Sequence, residues 1–253
     1  MSSLVLRALE RELLMYRRMW RGSAFSAFVQ PLLFLGAMGL GLGSLIDDTG
    51  TDASEYIVFV APGLMAASAI LAAAGESLWG ILGGVKWMGS FNAMVSTAML
   101  PGDVYGGRVL SSGVRTAVTG SVFLSVAVLL GGVSSWLAPF ALVPTVLIGM
   151  AGTAWLAAYA VRRESDKSFS IIMRLGIIPL FLFSGTFFPV DQLPDAIESV
   201  IWLSPLWHAV ESARDFTAGG VEPVTLLHIG ILLAVVAAAI PVGIKGFERR
   251  LTP

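Results

Sequence analysis

Cysteine is absent from the sequence. Without thiols the chain has no disulfide, no thiolate nucleophile, no iron–sulfur cluster and no cysteine-ligated zinc site. Charge is scarce as well, since Asp, Glu, Lys and Arg make up 13% of the 253 residues. Soluble domains usually carry about 25%, and apolar residues here account for 56%. A chain of this composition is solvated by lipid.

Signatures of nucleotide binding and catalysis are missing too. The sequence has no G-x-x-x-x-G-K-[ST] motif, so the chain cannot bind ATP through a P-loop. His208 and Glu211 share one helix face, but with the distant His228 they form a weak metal pattern, and a simple His–Glu contact is favoured. Ser184 lies away from both histidines along the predicted fold, so a Ser–His protease site is rejected. We expect no catalytic, metal or cofactor site in this chain.

Long apolar runs are what the sequence does contain. A helix that crosses a bilayer needs roughly 20 apolar residues at about 1.5 Å rise each. Six runs are of this kind, at residues 23–46, 56–80, 109–133, 136–161, 169–188 and 224–244. The sequence thus predicts an all-α membrane protein with six transmembrane helices.

Basic residues set the predicted sidedness. Every Lys and Arg except Arg214 lies in the N-terminal segment, in or beside the loops after the second and fourth spans, or at the C-terminus. The positive-inside rule places these regions in the cytoplasm. We therefore expect a multi-pass membrane protein with both termini cytoplasmic, which agrees with an even number of spans.

Residues 1–22 predict an amphipathic helix in the inner membrane interface. Arginines on its polar side suit anionic lipid headgroups, and only Glu12 and Leu14 fall on the wrong sides of a helical wheel. The alternative is a basic tail that only sets the topology. The polar side holds Arg7, Glu10, Arg11, Arg17, Arg18 and Arg21, and the apolar side holds Leu6, Leu9, Leu13, Tyr16 and Trp20.

The loop at residues 81–107, here called the inner loop, is unusually apolar for a cytoplasmic loop. Ser90 is placed to cap a short helix that runs to Leu100, and Pro101 ends it. An apolar face on such a helix needs a partner, and periodicity alone favours an external partner and the chain's own bundle equally. The predicted face consists of Phe91, Met94, Val95 and Ala98.

Residues 189–222, here called the outer segment, follow a break in the fifth apolar run at Gly185 and Pro189. Apolar residues then recur at helical spacing on both sides of Pro205, which predicts helices at about 194–203 and 205–216 that dip back from the outer surface. Backbone breaks at membrane depth must face protein or water. Arg214, among apolar residues, needs a partner, and its neighbours include Glu211.

Two further features lie inside the spans. Glu76 and Arg174 sit near the inner ends of the second and fifth spans. Charges in a membrane are candidates for function, but snorkelling to the interface is the favoured explanation. Gly39 and Gly43 form a G-x-x-x-G motif, which permits close helix packing within the bundle or between subunits.

Three stretches together resemble the membrane subunit of ABC-2 type transporters, the class that includes nodulation lipo-oligosaccharide and daunorubicin-type drug permeases. They are the basic amphipathic start, "ESLWGILGGVKWMGSFNAMVSTAMLPGDVYGGR" after the second span, and "FLFSGTFFPVDQLPDAIESVIWLSPLWHAVESARDF" before the last. The third is the most specific, with SG-x-FFP, then LP, then SP-L-x-H-x-V-x-x-x-R. The resemblance covers residues 1–253 as a single transmembrane domain.

The resemblance implies a role for each segment. The N-terminal helix would abut an ATPase subunit, and the inner loop would be a cytoplasmic coupling loop that contacts the ATPase through the face given above. The outer segment would form a re-entrant helical hairpin between the fifth and sixth spans. Its gate residues would be Gly185, Pro189, Pro205, Glu211 and Arg214.

The implied function is that of the permease subunit of an ATP-driven exporter for an amphipathic substrate, such as a lipid, a lipid-linked glycan or a hydrophobic drug. A separate ATPase would bind ATP and Mg²⁺, and a second permease copy or sister chain would complete the path among membrane lipids. No nucleic acid partner is expected. The alternative is a membrane scaffold or assembly subunit, or a small intramembrane enzyme, and an ATPase encoded beside this chain would argue against it.

Overall fold

The computed structural model describes residues 3–18, 29, 32–37, 53–190 and 194–252. Within these ranges the chain is helical and contains no β-strand. The first predicted span falls mostly outside the described residues, and the Gly39–Gly43 motif falls wholly outside them. We name the two ends of the bundle inner and outer after the predicted sidedness.

The helices have the following bounds. They are α1 Ser3–Arg18, α2 Ala53–Leu82, α3 Ser90–Val95, α4 Pro101–Leu129, α5 Leu142–Ala160, α6 Phe169–Phe183, α7 Asp195–Ile201, α8 Pro205–Ala218 and α9 Pro223–Leu251. A π-helical turn, Gly83–Trp87, extends α2, and another, Met173–Ile177, lies inside α6. A 3-10 turn, Ala138–Ala141, leads into α5.

Four of the described helical segments are long and apolar enough to cross a membrane. They are Tyr56–Trp87, Pro101–Leu129, Ala138–Ala160 and Pro223–Leu251, which correspond to the second, third, fourth and sixth predicted spans. The fifth predicted span is shorter than expected, because α6 ends at Phe183 and Gly185 takes a φ of 75°. Six spans in total therefore stay a prediction.

Helix α5 lies at the centre of the bundle and packs against α2, α4, α8 and α9. Its buried face is built from small residues, including Gly149, Gly152, Ala154 and Ala157. Small side chains let helix backbones approach closely. A Cβ added to Gly152 would lie 3.2 Å from Ile70 of α2, so that crossing depends on the missing side chain.

A buried tyrosine joins three helices near the inner end. Tyr105 of α4 is fully buried, and its hydroxyl lies 3.1 Å from the Ala154 carbonyl of α5 and 3.2 Å from the Ala239 carbonyl of α9. A Cβ on Gly243 would lie 2.0 Å from the Tyr105 ring. The ring therefore occupies the space that only glycine leaves on α9.

Helix α1 packs across the inner half of α4. Ala8 is buried, and a Cβ on Gly107 would lie 2.5 Å from it. Glu12, which falls on the wrong side of the helical wheel, pairs with Arg108 at 2.6 Å. Leu6 of the apolar side remains exposed, and so does Leu14, which the helical wheel places on the polar side. The predicted helix is confirmed, and its place in the lipid interface stays a prediction.

Candidate functional site

The inner loop folds differently from the prediction. Helix α3 ends at Val95, well before Leu100, and its N-cap is Gly89 with a φ of 61° rather than Ser90. The Ser96 hydroxyl donates to the Asn92 carbonyl at 2.9 Å and the Thr97 hydroxyl donates to the Met94 carbonyl at 2.6 Å. The backbone N–H of Thr97 donates to the carbonyl of Met94, three residues back, at 3.1 Å, which is the pattern of a tight turn and not of a continuing α-helix.

The predicted apolar face of the inner loop is divided between core and surface. Phe91 and Met94 are buried in the chain's own core, and the Phe91 ring lies 6.1 Å from that of Phe247 on α9. Val95 is half-buried, while Ala98 lies beyond α3 and is exposed. No observation here tests the coupling role of these four residues, which stays a prediction.

Other large apolar side chains of the inner loop are exposed. Trp87, Met88 and Leu100 expose 65%, 66% and 67% of their surfaces. Sequence reasoning missed them, because it assumed that an apolar helical face would be the contact surface. The signal that could have found them is the Trp-Met pair beside Lys86, where the apolar run of α2 continues past the predicted end of its span.

An ion-pair cluster ties the inner loop to two other segments. Glu164, in the turn between α5 and α6, pairs with Lys86 at 2.6 Å and with Arg250 of α9 at 2.5 Å. Hydrogen bonds from Lys86 and Arg250 lower the pKa of the Glu164 carboxyl to about 2. The end of α2, the α5–α6 turn and the end of α9 are therefore joined at one point.

A second ion-pair network lies on the side of the bundle covered by α1. Glu76 of α2 pairs with Arg115 of α4 at 2.5 Å, and its backbone carbonyl accepts a bond from Arg108 at 2.9 Å. Glu76 thus has an ion-pair partner, but 44% of its side chain is exposed, so its snorkelling to the interface stays a prediction. Arg174 lies exposed in the π-helical turn of α6.

At the outer end Arg214 is the central polar residue. Its guanidinium pairs with Glu211 at 2.6 Å and donates to the Gly185 carbonyl at 2.8 Å. The guanidinium carbon also lies 4.0 Å from the centre of the Phe59 ring. Burial lowers the pKa of Arg214 and the Glu211 carboxylate opposes that shift. The prediction that Arg214 is paired is confirmed.

Of the remaining residues predicted for the gate, Gly185 contacts this pair directly. Gly185 needs a left-handed backbone, and a Cβ there would lie 3.1 Å from Val190 and 3.5 Å from Glu211. Pro189 precedes Val190 and is half-buried. Pro205 opens α8, and the hydroxyl of the residue before it, Ser204, lies 3.1 Å from that of Ser184. The end of α6 and the start of α8 thus meet.

The two predicted helices of the outer segment are present as α7 and α8, with bounds within two residues of the expected ones. Helix α8 packs against α2, α5 and α9. The break between α7 and α8 at Pro205 therefore faces protein, as expected for irregular backbone near a membrane. Its depth in a bilayer stays a prediction. The buried residues are Leu206, His208, Ala209, Val210, Ser212, Ala213, Phe216 and Thr217.

The two histidines form a contact that the sequence did not predict. The Nδ1 atoms of His208 and His228 lie 2.7 Å apart in a buried position. The predicted His208–Glu211 contact is wrong, because the Glu211 carboxylate is taken by Arg214. Ser184 contacts Ser204 instead of a histidine. Across the described residues no three His, Cys, Asp or Glu side chains form a metal-binding group.

Comparison with known proteins gives one family over most of the chain. A model of the ABC-2 type transporter family matches residues 3–216. Nodulation protein J of Rhizobium leguminosarum bv. viciae is 28% identical over 237 residues, which cover 92% of this chain and 90% of that protein. Nodulation protein J of Rhizobium meliloti (strain 1021) is 26% identical over 244 residues, covering 96% and 92% of the two chains.

Proposed function

The chain belongs to the ABC-2 type transporter family, and on that premise we propose that it is the permease subunit of an ATP-driven exporter. Its substrate is amphipathic, a lipid, a lipid-linked glycan or a hydrophobic drug, and it leaves across the bacterial plasma membrane. The observation that carries the proposal is the family match over residues 3–216 of a helical chain without a P-loop. A separate ATPase therefore binds ATP and Mg²⁺ and does the hydrolysis.

The inner loop is the proposed ATPase contact. Trp87, Met88 and Leu100 are large, apolar and exposed, and such side chains on a cytoplasmic loop favour burial against a partner. Burying one of them contributes roughly 1.5–3 kcal/mol. Phe91 and Met94, in the same loop, are buried in the core and anchor the loop to the bundle.

Movement at the inner loop has a direct route into the bundle. The π-helical turn that carries Trp87 continues α2 without a break. Lys86, in the same turn, is tied through Glu164 to Arg250 at the end of α9. A force applied by the ATPase at Trp87 thus reaches α2 and α9 together, which is what coupling of hydrolysis to transport requires.

A second permease copy, or a sister chain, is proposed to cover α6. Ile171, Leu175 and Leu182 expose 59%, 77% and 41% of their surfaces on this helix. The same helix carries a π-helical turn and the exposed Arg174. A charged residue and irregular backbone within a span are more stable facing protein or a water-filled path than facing lipid. Helix α6 is therefore the proposed side of the transport path.

The test replaces Trp87 with alanine and measures capture of the ATPase by the purified permease, together with export in cells. We expect loss of capture and export, since truncating a contact anchor can cost more than about 2 kcal/mol. Trp136→Ala is the matched control, because Trp136 exposes 85% of its surface on the turn between α4 and α5, at the outer end. Normal capture and export with Trp87→Ala would refute this contact.

A further inference from the structure

We infer that the His208–His228 pair is an acid-sensitive latch between α8 and α9, closed when at most one of the two rings is protonated and opened when both are. The Nδ1 atoms lie 2.7 Å apart, which is hydrogen-bonding distance, and both residues are buried. His208 belongs to the outer segment, and His228 lies less than two turns from the start of the last span.

The chemistry of imidazole sets the condition for closure. A neutral pair is bonded when one Nδ1 carries a hydrogen and the other offers its lone pair. One added proton leaves this arrangement intact, because a protonated ring still donates to a neutral one. A second proton removes the last lone pair, so the hydrogen bond is lost and two positive charges face each other at 2.7 Å.

The surroundings close the pair off from water. The Trp207 ring lies 4.9 Å from His208 and 5.2 Å from His228, centre to centre, and it stacks on Trp202 at 6.0 Å. Burial lowers the pKa of His208, and the nearby His228 lowers it further, whereas a hydrogen bond with the Trp202 backbone raises it. The closed pair therefore takes up protons less readily than free imidazoles do, and opening of the latch removes this resistance.

Charged residues flank the pair on α8 and at the start of α9. On α8 they are Glu211, which is paired with Arg214, and Asp215, which accepts a bond from Thr225 at 2.6 Å. Glu222 caps α9, and α5 contributes no Asp, Glu, Lys or Arg.

Opening the latch would free the face of α8 that packs on α9. Ser212 lies one turn after His208, is fully buried, and donates to the His208 carbonyl at 2.6 Å. Exposure of residue 212 therefore reports on separation of the two helices. Because the chain has no cysteine, a Ser212→Cys substitution supplies a single reporter thiol in the purified protein, and neither ATPase nor substrate is needed.

The experiment measures maleimide labelling of Ser212→Cys in detergent at pH 7.5 and pH 5, relative to Val221→Cys. Val221 is exposed before α9, so its thiol corrects for the effect of pH on the labelling reaction. Each proton that only the open state binds shifts opening by up to about tenfold per pH unit below about 6.5. We expect the labelling ratio to rise by about tenfold or more at pH 5.

Two histidine variants decide the outcome. His208→Asn, in the Ser212→Cys background, places an amide oxygen near the position of Nδ1, so it still accepts from His228 but takes up no proton; its ratio should stay low at both pH values. His228→Phe has no hydrogen bond and should label readily at pH 7.5. A flat ratio with both histidines present, or an equal rise in His208→Asn, would overturn the latch.

Discussion

Arg214 shows how one side chain organises the outer end. It pairs with Glu211 on the same helix, α8. It also contacts the Gly185 carbonyl beyond the end of α6 and the Phe59 ring of α2. The residue thus satisfies a carbonyl that the broken helix leaves open. Burial of its charge is tolerated because each contact is electrostatically favourable.

Replacing Arg214 with alanine should destabilise the outer end. The variant leaves Glu211 and the Gly185 carbonyl without their donor, and hydrogen bonds to charged groups are worth about 1.5–3 kcal/mol each. We expect a lower melting temperature in detergent and a loss of export larger than the loss of membrane expression. Arg249→Ala, at an exposed arginine of α9, is the control. Unchanged export in Arg214→Ala would show that the contact has no role in gating.

At the scale of elements, the cluster at Glu164 fixes three segments that the chain brings together from far apart. Its folded-state pKa of about 2 lies below the ordinary value of 4.5. A carboxyl with a depressed pKa stabilises the fold above its unfolded pKa, and that stabilisation disappears as pH falls through the folded value. The contribution of Glu164 is therefore complete above about pH 4.5 and lost near pH 2.

The corresponding variant is Glu164→Gln, which removes the charge and keeps the shape. Its melting temperature should lie below that of the unaltered chain by a constant amount above pH 4.5, and the gap should close as pH falls towards 2. Glu248→Gln, at an exposed position of α9, should give no such gap. A gap that persists to pH 2 would show that another property of Glu164 is responsible.

The crossing of α4 and α9 allows a second test at this scale. In Gly243→Ala the new Cβ would lie 2.0 Å from the Tyr105 ring, so the ring or the helix must shift. Overpacking of this kind costs about 1–3 kcal/mol. Gly230→Ala on the same helix meets no atom within 4 Å and should be neutral or stabilising. Equal melting temperatures for the two variants would mean that the crossing relaxes without cost.

Element existence was predictable where a single local signal sufficed. Long apolar runs predicted α2, α4, α5 and α9, and apolar residues at helical spacing after Pro205 predicted α8, since proline suits the first turn. The end of α3 was missed because the predicted end rested on Pro101, and residues 96–100 contain no Gly or Pro that would signal an earlier stop. Length and composition therefore specify the scaffold better than the short helices at its ends.

Contacts between distant elements were not predictable from the same signals. A helical wheel describes one helix, so it marked Glu12 as misplaced, although Glu12 is the residue that pairs with Arg108 of α4. The His208–His228 contact likewise depends on how α8 and α9 meet. The Arg214–Glu211 pair was predictable, because two residues that are three positions apart on one helix lie on the same face.

For the whole molecule, the predicted sidedness puts α3 in the cytoplasm and the start of α9 outside. Ala93 of α3 and Val221 are both exposed, and the chain offers no native thiol to interfere. In intact cells, a membrane-impermeant maleimide should label Val221→Cys and should label Ala93→Cys only after the cells are opened. Labelling of Ala93→Cys from outside would reverse the topology.

The close fit of α1 on α4 has a consequence for synthesis. Helix α1 leaves the ribosome before α4, because its partner Arg108 follows 96 residues after Glu12. At about 5–20 residues per second, α1 waits roughly 5–20 s before its binding surface exists. During that interval, lipid headgroups are a surface that the amphipathic helix can contact. With α1 in its predicted interfacial position, the amphipathic pattern would hold this helix at the bilayer until α4 is made.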